Sequence, residues 1–341
     1  MSRCRTEYTD SSMSVNIPIE LKGYEILDVI GKGGFAVVVK AIHKNSKRVC
    51  AIKIIDRHEL TNNGMLNYLE SELRLASRFN HPNIAKVYDI IYREDSIMIV
   101  MEYLPNGDLQ TLISQGMRFS IEEQLNITYQ ILQALNYLHQ RGISHRDIKP
   151  ANILFDENMH PKLIDFGMSC ENAASSHTFC GTPYYMAPEI ICSDNYDGKK
   201  SDIWSFAITL HIMATYVFPF NYQSEVQYLK DVQAKKLLFQ NKAQGIIGNI
   251  IKEMLVCEPK ERPSSKDMLE MIEQSCSQHF IVLSSKVNQI SRPNTSLPRI
   301  VKPTQCLCNG LNLNCPVKIN RYSDKMLPRL TSHGLAKNII V

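Results

Sequence analysis

The chain has 341 residues, of which 44% are hydrophobic and 21% are charged, and its formal net charge is +4. This composition is typical of a globular protein, and the length is enough for about two domains with substantial cores. No apolar run approaches the roughly 18 residues of a membrane-spanning helix, and the opening MSRCRTEYTDSSMS lacks the apolar core of a secretory signal. We therefore expect a cytoplasmic or nuclear protein without a membrane span.

The first part of the chain alternates between β-branched runs and turn signals. Residues 1–23 are polar and rich in Ser and Thr, which predicts disorder. The runs YEILDVI, AVVVKAI and RVCAIKII predict three antiparallel strands, and IAKVYDII and SIMIVMEYL predict two more. Residues 65–79 place apolar side chains at helical spacing. The sequence therefore predicts a small lobe of five strands and one helix over residues 24–101.

Beyond Pro105 the pattern becomes helical. Ser120 and Glu123 form a capping box at the start of one helix, which Gly142 ends. Residues 202–214 are apolar on nearly all sides, so they predict a helix buried in the centre of a larger lobe. Further helices are predicted over 224–237 and 244–256. The large lobe is expected to cover residues 105–280.

Residues 281–341 lose this periodicity and contain nine basic residues and one acidic residue. A basic tail can bind acidic proteins, membrane surfaces or nucleic acid, but a solvated linker is the favoured interpretation and no nucleic-acid partner is expected. Cys306, Cys308 and Cys315, with His333, offer possible zinc ligands in a spacing that matches no common zinc module. Whether they bind metal stays open at this point.

The motif HRDIKPAN, residues 145–152, places ionisable side chains in a loop. Asp147 can accept the proton of an attacking hydroxyl, and Lys149 can offset charge on a transferred phosphoryl group. The motif DFG begins at Asp165, eighteen residues after Asp147. Magnesium prefers hard oxygen ligands and bridges nucleotide phosphates, so Asn152 and Asp165 are the predicted metal ligands.

A second group of motifs lies in the predicted strands. GKGGFAVV, residues 31–38, joins two strands, and its glycines let the backbone approach phosphate oxygens. It departs from the pattern G-x-G-x-x-G-x-V because Ala36 replaces the third glycine. Lys53 ends the sequence AIK, as in the V-A-I-K signature, whose lysine binds nucleotide phosphates. Glu72 is predicted to hold Lys53 in place, with Glu70 as the alternative.

With APE at residues 187–189, these motifs make the sequence resemble the eukaryotic protein kinases over about residues 24–280. The resemblance implies an α+β, two-lobed kinase fold that binds ATP and Mg²⁺ between the lobes. It implies that Met101 guards the adenine pocket, that the segment Glu102 to Leu104 is the hinge, and that Asp108 contacts ribose. The remaining ATP-binding residues that it implies are Ile30, Gly31, Lys32, Gly33, Gly34, Phe35, Ala36, Val38, Ala51 and Lys53.

The resemblance also implies supporting contacts. Asp202 is expected to support the loop of Asp147, and Glu189 to pair with Arg262. Lys149 in HRDIKPAN, together with CGTPYYMAPE, is similar to the serine/threonine class, whose substrates are proteins with Ser or Thr acceptors. Met168 implies a preference for serine.

Phosphorylation of the segment between DFG and APE is a further implication. Thr178 is the expected site, with Arg146 as the partner of its phosphate, and self-association would allow the kinase to modify itself in trans. Thr182 is instead expected beside Asp147 and Lys149. Ser175 and Ser176 are interpreted as solvated loop residues.

The branch of the family is suggested by other stretches. GKGGFA and TFCGTPYYMAPE resemble the Polo-like kinases, and LPRLTSHGLAKNIIV resembles the segment that opens the first polo box of the Sak branch. This resemblance implies a role in centriole duplication or the cell cycle, a centriole or centrosome location, and a chain truncated before its polo boxes. Calcium/calmodulin-dependent and Aurora-type kinases are the alternative branches. A pseudokinase scaffold and an adaptor acting through its basic tail are the alternatives of other classes.

Overall fold

A computed structural model of the protein describes residues 21, 23–32, 36–57, 73, 78–171, 173–174, 176, 180–222 and 224–278. These residues form a five-stranded antiparallel sheet followed by a mainly helical region. The predicted α+β fold class is therefore confirmed. The N-terminal segment up to residue 20, most of the predicted helix at 65–79, and the basic tail lie outside the described residues.

The sheet has the strand order β1-β2-β3-β5-β4. Its strands are β1 (Tyr24–Lys32), β2 (Ala36–His43), β3 (Val49–Asp56), β4 (Val87–Tyr92) and β5 (Ser96–Glu102). β4 begins later than the predicted run at Ile84, because Ile84 forms a parallel bridge with Leu163 of the helical region. The short segment before β4 therefore belongs to the contact between the two lobes.

The two faces of the sheet bury different residues, because side chains alternate along each strand. One face carries a buried cluster that includes Ile52, Ile54 and Val100. Residues paired across strands share a face, and the register pairs Val38 with Lys53 and Ala51 with Met101. Four predicted nucleotide contacts from three strands therefore lie on the opposite face.

The helices surround one large hydrophobic core. They are α1 (Leu109–Ser114), α2 (Ile121–His139), α3 (Pro188–Cys192), α4 (Gly198–Thr215), α5 (Glu225–Gln233), α6 (Gly245–Met254) and α7 (Ser265–Gln278). Two short antiparallel pairs complete the region: β6 (Ile143–Ser144) with β9 (Cys170–Glu171), and β7 (Ile153–Phe155) with β8 (Pro161–Leu163). Within the described ranges, no helix has the length and hydropathy that a membrane crossing requires.

The helix ends follow local sequence signals. The capping box of α2 is confirmed: Ser120 Oγ accepts from Glu123 N at 3.2 Å, and Ser120 N donates to Glu123 Oε2 at 2.7 Å. Helix α4 is buried along most of its length, as its apolar sequence predicts. Helix α7 was not predicted, although Ser264 and Asp267 bond each other's backbone amides in the same way.

A buried ion pair ties the start of α3 to the loop before α7. Arg262 Nη1 lies 2.7 Å from Glu189 Oε1, and Nη2 lies 3.0 Å from Oε2, so the pair is bidentate. Ser201 Oγ also donates to Glu189 Oε1 at 3.0 Å. The Arg262 side chain is fully buried and that of Glu189 is 6% exposed. The pair implied by the kinase resemblance is thus present and shielded from water.

Removing one partner of this pair should destabilise the fold strongly. Arg262→Met leaves the Glu189 carboxylate buried without its counter-charge, and we expect the free energy of unfolding to fall by about 3–5 kcal/mol. Urea denaturation measures this change. Lys266→Met is the control, because Lys266 pairs with Glu270 at 3.5 Å with side chains 70% and 54% exposed, and should change stability by less than about 0.5 kcal/mol. Similar values for the two variants would contradict the prediction.

Candidate active site

A single carboxylate positions the loop of the HRDIKPAN motif. Asp202, fully buried in α4, accepts from His145 N and from Arg146 N, both at 2.8 Å. His139 Nε2 lies 2.9 Å from Asp202 Oδ2. Arg146 has a φ of +65°, a left-handed conformation that is costly for a side chain of this size unless the surroundings fix it. Asp202 supplies that constraint.

The loop presents Asp147 in a set of close polar contacts. Asp147 Oδ2 lies 2.8 Å from Lys149 Nζ, and Oδ1 accepts from Thr182 Oγ1 at 2.8 Å. Lys149 Nζ also donates to Thr182 Oγ1 at 2.9 Å. The Asp147 side chain is 6% exposed, so these charge-assisted bonds are only weakly screened by water. The structure thus places Thr182 beside Asp147 and Lys149, as expected from the sequence.

Asn152 lies next to the segment that carries Asp165. Its Nδ2 donates to Asp147 O at 2.8 Å and to Asp147 Oδ2 at 2.9 Å. Both bonds use the amide nitrogen, which orients the amide oxygen away from Asp147 and leaves it for a metal ligand role. Ile164 N donates to Asn152 O at 3.1 Å, which brings the residue before Asp165 against Asn152.

Asp165 forms one of the contacts between the helical region and the sheet. Its Oδ1 lies 3.6 Å from Lys53 Nζ on β3. The positive charge of Lys53 lowers the pKa of Asp165, with smaller contributions from His145 and Lys149, and outweighs the opposing effect of desolvation. Asp165 therefore remains an anion well below neutral pH, as a metal ligand must.

The donor set fits Mg²⁺. The described part of the chain holds no cluster of three or more His, Cys, Asp or Glu side chains suited to a metal. Magnesium, however, is commonly bound through one or two protein oxygens, with phosphates and water completing the octahedron. Asn152 and Asp165 offer one amide and one carboxylate, which matches that pattern.

Strands β1 and β2 lie on either side of the predicted phosphate-binding segment. Gly31 pairs with Val38 and Lys32 pairs with Val37. Gly33, Gly34 and Phe35 lie outside the described residues, so their contact with phosphate stays a prediction. Ile30, 45% exposed, lies near the end of β1, and Ala36 begins β2.

The segment after β5 links the two lobes. Met101 and Glu102 end β5, and Leu104 is buried at 7% exposure. Asp108 caps helix α1: its Oδ1 accepts from Thr111 N and its Oδ2 from Thr111 Oγ1, both at 2.7 Å. A ribose contact would have to share the Asp108 carboxylate with this cap.

Besides Gly33, Gly34 and Phe35, two predicted site residues cannot be placed. Glu72 and Thr178 lie outside the described residues. Leu73, directly after Glu72, is 7% exposed and belongs to the apolar cluster on the Lys53 face of the sheet. The Glu72–Lys53 contact and the phosphorylation of Thr178 therefore stay predictions.

Arg146 has close neighbours that the sequence does not predict. Arg146 Nε donates to Met168 O, and Cys180 and Tyr196 lie near its guanidinium. Burial lowers the pKa of Arg146, but nearby Cys180 and Tyr196 outweigh this effect and raise it. No sequence motif singles out Tyr196 for this contact. Arg146, only 9% exposed, is thus already engaged without a phosphate.

The environment of Ser176 differs from the one that the sequence predicts. The sequence predicts a solvated loop residue, but Ser176 is 3% exposed. Its N donates to Tyr196 O at 2.8 Å, and its O accepts from Tyr196 N at 3.0 Å. This backbone pairing, which a composition-based interpretation cannot detect, buries the side chain.

Comparison with known proteins agrees with this geometry. The sequence-family model of the protein kinase domain matches residues 24–274, and the chain belongs to the protein kinase family. It is 32% identical to CBL-interacting serine/threonine-protein kinase 19 of Arabidopsis thaliana over 252 residues, which are 72% of this chain and 52% of that protein. It is also 32% identical to CBL-interacting protein kinase 26 of Oryza sativa subsp. japonica over 246 residues, 71% of this chain and 50% of that protein.

These matches confirm the coarser part of the sequence prediction. The predicted membership of the eukaryotic protein kinases holds, and the relatives' names agree with the predicted serine/threonine class. Membership implies the use of ATP with a divalent metal. The chain spans about half the length of these curated relatives.

The geometry around Asp147 predicts the effect of one isosteric change. Asp147→Asn removes the proton acceptor, and we expect kcat for phosphoryl transfer to fall by about 10²–10⁴-fold. Binding of Mg·ADP should remain largely intact, because Asp147 is not one of the predicted nucleotide or metal ligands. Steady-state kinetics and calorimetry measure the two effects. Asp89→Asn, an exposed change on β4, is the control. Transfer by Asp147→Asn at a near wild-type rate would show that the proposed proton acceptor is wrong.

Proposed function

We propose that this chain is an active, ATP-dependent serine/threonine protein kinase. The observation that carries the proposal is the geometry of Asp147, whose carboxylate is held by Lys149, Thr182 and Asn152. The Lys53–Asp165 ion pair supports it from the sheet. A nucleotide-binding scaffold without catalysis would not need these contacts to Asp147, the predicted proton acceptor.

Each group has a distinct role in this proposal. Mg·ATP would supply the γ-phosphoryl group and a cation that neutralises its charge. Lys53 would bind the nucleotide phosphates, and Asn152 and Asp165 would hold the metal. The hydroxyl oxygen of the protein substrate would bond to the γ-phosphorus as the bond from that phosphorus to the β–γ bridging oxygen breaks. The hydroxyl proton would pass to Asp147, and ADP would leave. Lys149 stabilises negative charge on the transferred group.

Transfer of labelled phosphate from γ-labelled ATP to serine and threonine peptides by the purified chain tests this proposal. Transfer that depends on Mg²⁺ and on Lys53 would support it, with Lys53→Met as the inactive variant. Binding of Mg·ATP without transfer would favour the pseudokinase alternative. The adaptor alternative for the basic tail is tested separately, by capture of proteins with residues 281–341 alone.

The branch of the family is a separate proposal. The motifs GKGGFA and TFCGTPYYMAPE are the support for a Polo-like, Sak-type kinase that regulates centriole duplication. The relatives described above are CBL-interacting kinases and lend that branch no support. A CBL-interacting kinase is therefore the better-supported candidate, and capture of a CBL protein by the chain would test it. Centriole localisation of the tagged chain would favour the Polo-like alternative instead.

The side chain after the DFG glycine predicts acceptor preference. The Met168 side chain should leave too little room for the β-methyl group of threonine. We therefore expect kcat/KM to favour a serine peptide over its matched threonine peptide by several-fold. Met168→Ala should reduce this preference, and Met117→Ala, at a residue 37% exposed after α1, should not. Equal kcat/KM values for the two peptides with the unmodified protein would contradict the predicted serine preference.

Thr178 remains the predicted activating phosphorylation site. A phosphate adds a charge of about −1.5 to −2 and would compete with Tyr196 for the Arg146 guanidinium. We expect Thr178→Ala to lower kcat substantially and Thr178→Asp to restore it in part, because one carboxylate carries less charge. Ser175→Ala is the control. Mass spectrometry of the active kinase tests the modification, and full activity with unmodified Thr178 would contradict it.

A further inference from the structure

The hinge side chain Glu102 connects three segments. Its Oε1 lies 2.9 Å from Lys162 Nζ on β8, and its Oε2 accepts from Lys86 N at 3.2 Å. Lys162 Nζ also donates to Pro82 O at 2.9 Å. The Lys162 and Glu102 side chains are only 11% and 22% exposed, so this ion pair is better shielded than a typical surface pair.

The strand that carries Lys162 is fixed by its own backbone. Leu163 N donates to Asn83 O, and Ala85 N donates to Leu163 O, both at 2.9 Å. Asn83 Nδ2 donates to Pro161 O at 2.9 Å. The position of β8 therefore does not depend on the Lys162 side chain. What Lys162 adds is a link from β8 to the hinge.

The same strand leads directly to the metal ligands. Asp165 follows Lys162 by three residues, and Ile164 N bonds Asn152 O at 3.1 Å. A continuous set of bonds thus runs from Glu102, through Lys162 and the end of β8, to Asn152 and Asp165.

The next hinge side chain is held from the other lobe. Lys40 Nζ, on β2, lies 4.6 Å from the centre of the Tyr103 ring, within the range of a cation–π contact. Loss of the Lys162 contact would therefore remove the side-chain link between the hinge and β8, while the hinge keeps its contact with the sheet and its backbone bond to Lys86.

We propose that Lys162 is a positioning residue that fixes the adenine-binding hinge relative to the metal ligands Asn152 and Asp165. The inference rests on the proposed function, because it assumes that a nucleotide lies with its base at the hinge and its phosphates at the metal. A ligand held at two ends binds more tightly when the distance between the two binding points is fixed in advance. Lys162 would thereby couple adenine binding to metal-assisted phosphate binding.

The test is the dependence of ADP affinity on Mg²⁺. Calorimetry gives the Kd of ADP with and without Mg²⁺ for the unmodified chain, for Lys162→Met and for the control Lys266→Met. We expect the Kd ratio, without Mg²⁺ over with Mg²⁺, to fall about fivefold in Lys162→Met, near the low end of typical coupling between sites. Lys266→Met removes an equal charge from an exposed pair and should keep the wild-type ratio.

Two further variants make the result specific. Lys162→Arg keeps the charge and should recover part of the ratio. Glu102→Gln keeps an acceptor for Lys86 N but loses the ion pair, so it should lower the ratio less than Lys162→Met does. If Lys162→Met does not fold, the Kd ratio of Glu102→Gln tests the proposal in its place. A purely structural role would lower the melting temperature and leave the ratio unchanged.

The outcomes separate this inference from the proposed function. No binding of Mg·ADP by the unmodified, folded chain would contradict the proposed function itself. Normal binding by the unmodified chain, with the same Mg²⁺ dependence in Lys162→Met and Glu102→Gln, would overturn only the role of Lys162.

Discussion

The site depends on one buried carboxylate, that of Asp202. It accepts hydrogen bonds from two consecutive backbone amides, at His145 and Arg146, and thereby holds Arg146 in a left-handed conformation. Such a conformation persists only where surrounding contacts fix it. Asp147 is the next residue, so the direction of its side chain depends on the bonds that Asp202 forms with the two residues before it. Helix α4, which carries Asp202, is buried in the core, and the core thus determines the position of the loop.

The remaining polar groups connect the lobes around this loop. Lys53 meets Asp165 across the boundary between sheet and helices, and Glu102 meets Lys162 at the hinge. These two ion pairs lie at the predicted phosphate and adenine ends of the site. A nucleotide between them would therefore contact groups from both lobes. This arrangement explains why the sequence motifs lie far apart along the chain.

Much of this could be predicted from sequence because it rests on local signals. Strand runs, turn residues and the Ser120 capping box depend on neighbours a few residues away, and their elements were found nearly at the predicted bounds. The missed features depend on distant partners: Tyr196 reaches Arg146, Lys162 reaches Glu102, and the segment at Ile84 pairs with Leu163 instead of extending β4. Periodicity and composition carry no information on such pairs. Helix α7 is an exception among the missed features, because its Ser264–Asp267 cap is a local signal that the sequence contains.

If Asp202 positions the loop for catalysis, a change at Asp202 should lower kcat, and we choose Asp202→Asn as the variant to measure. The amide keeps the size of the side chain but presents a donor where the loop presents N–H groups, so one backbone bond is lost. A lost bond to a charged acceptor costs about 1.5–3 kcal/mol, which corresponds to about a 10–150-fold fall in kcat if it appears fully in the transition state. We expect such a fall in kcat with the Kd of Mg·ADP unchanged. An unchanged kcat in the folded variant would show that Asp202 does not position the loop for catalysis.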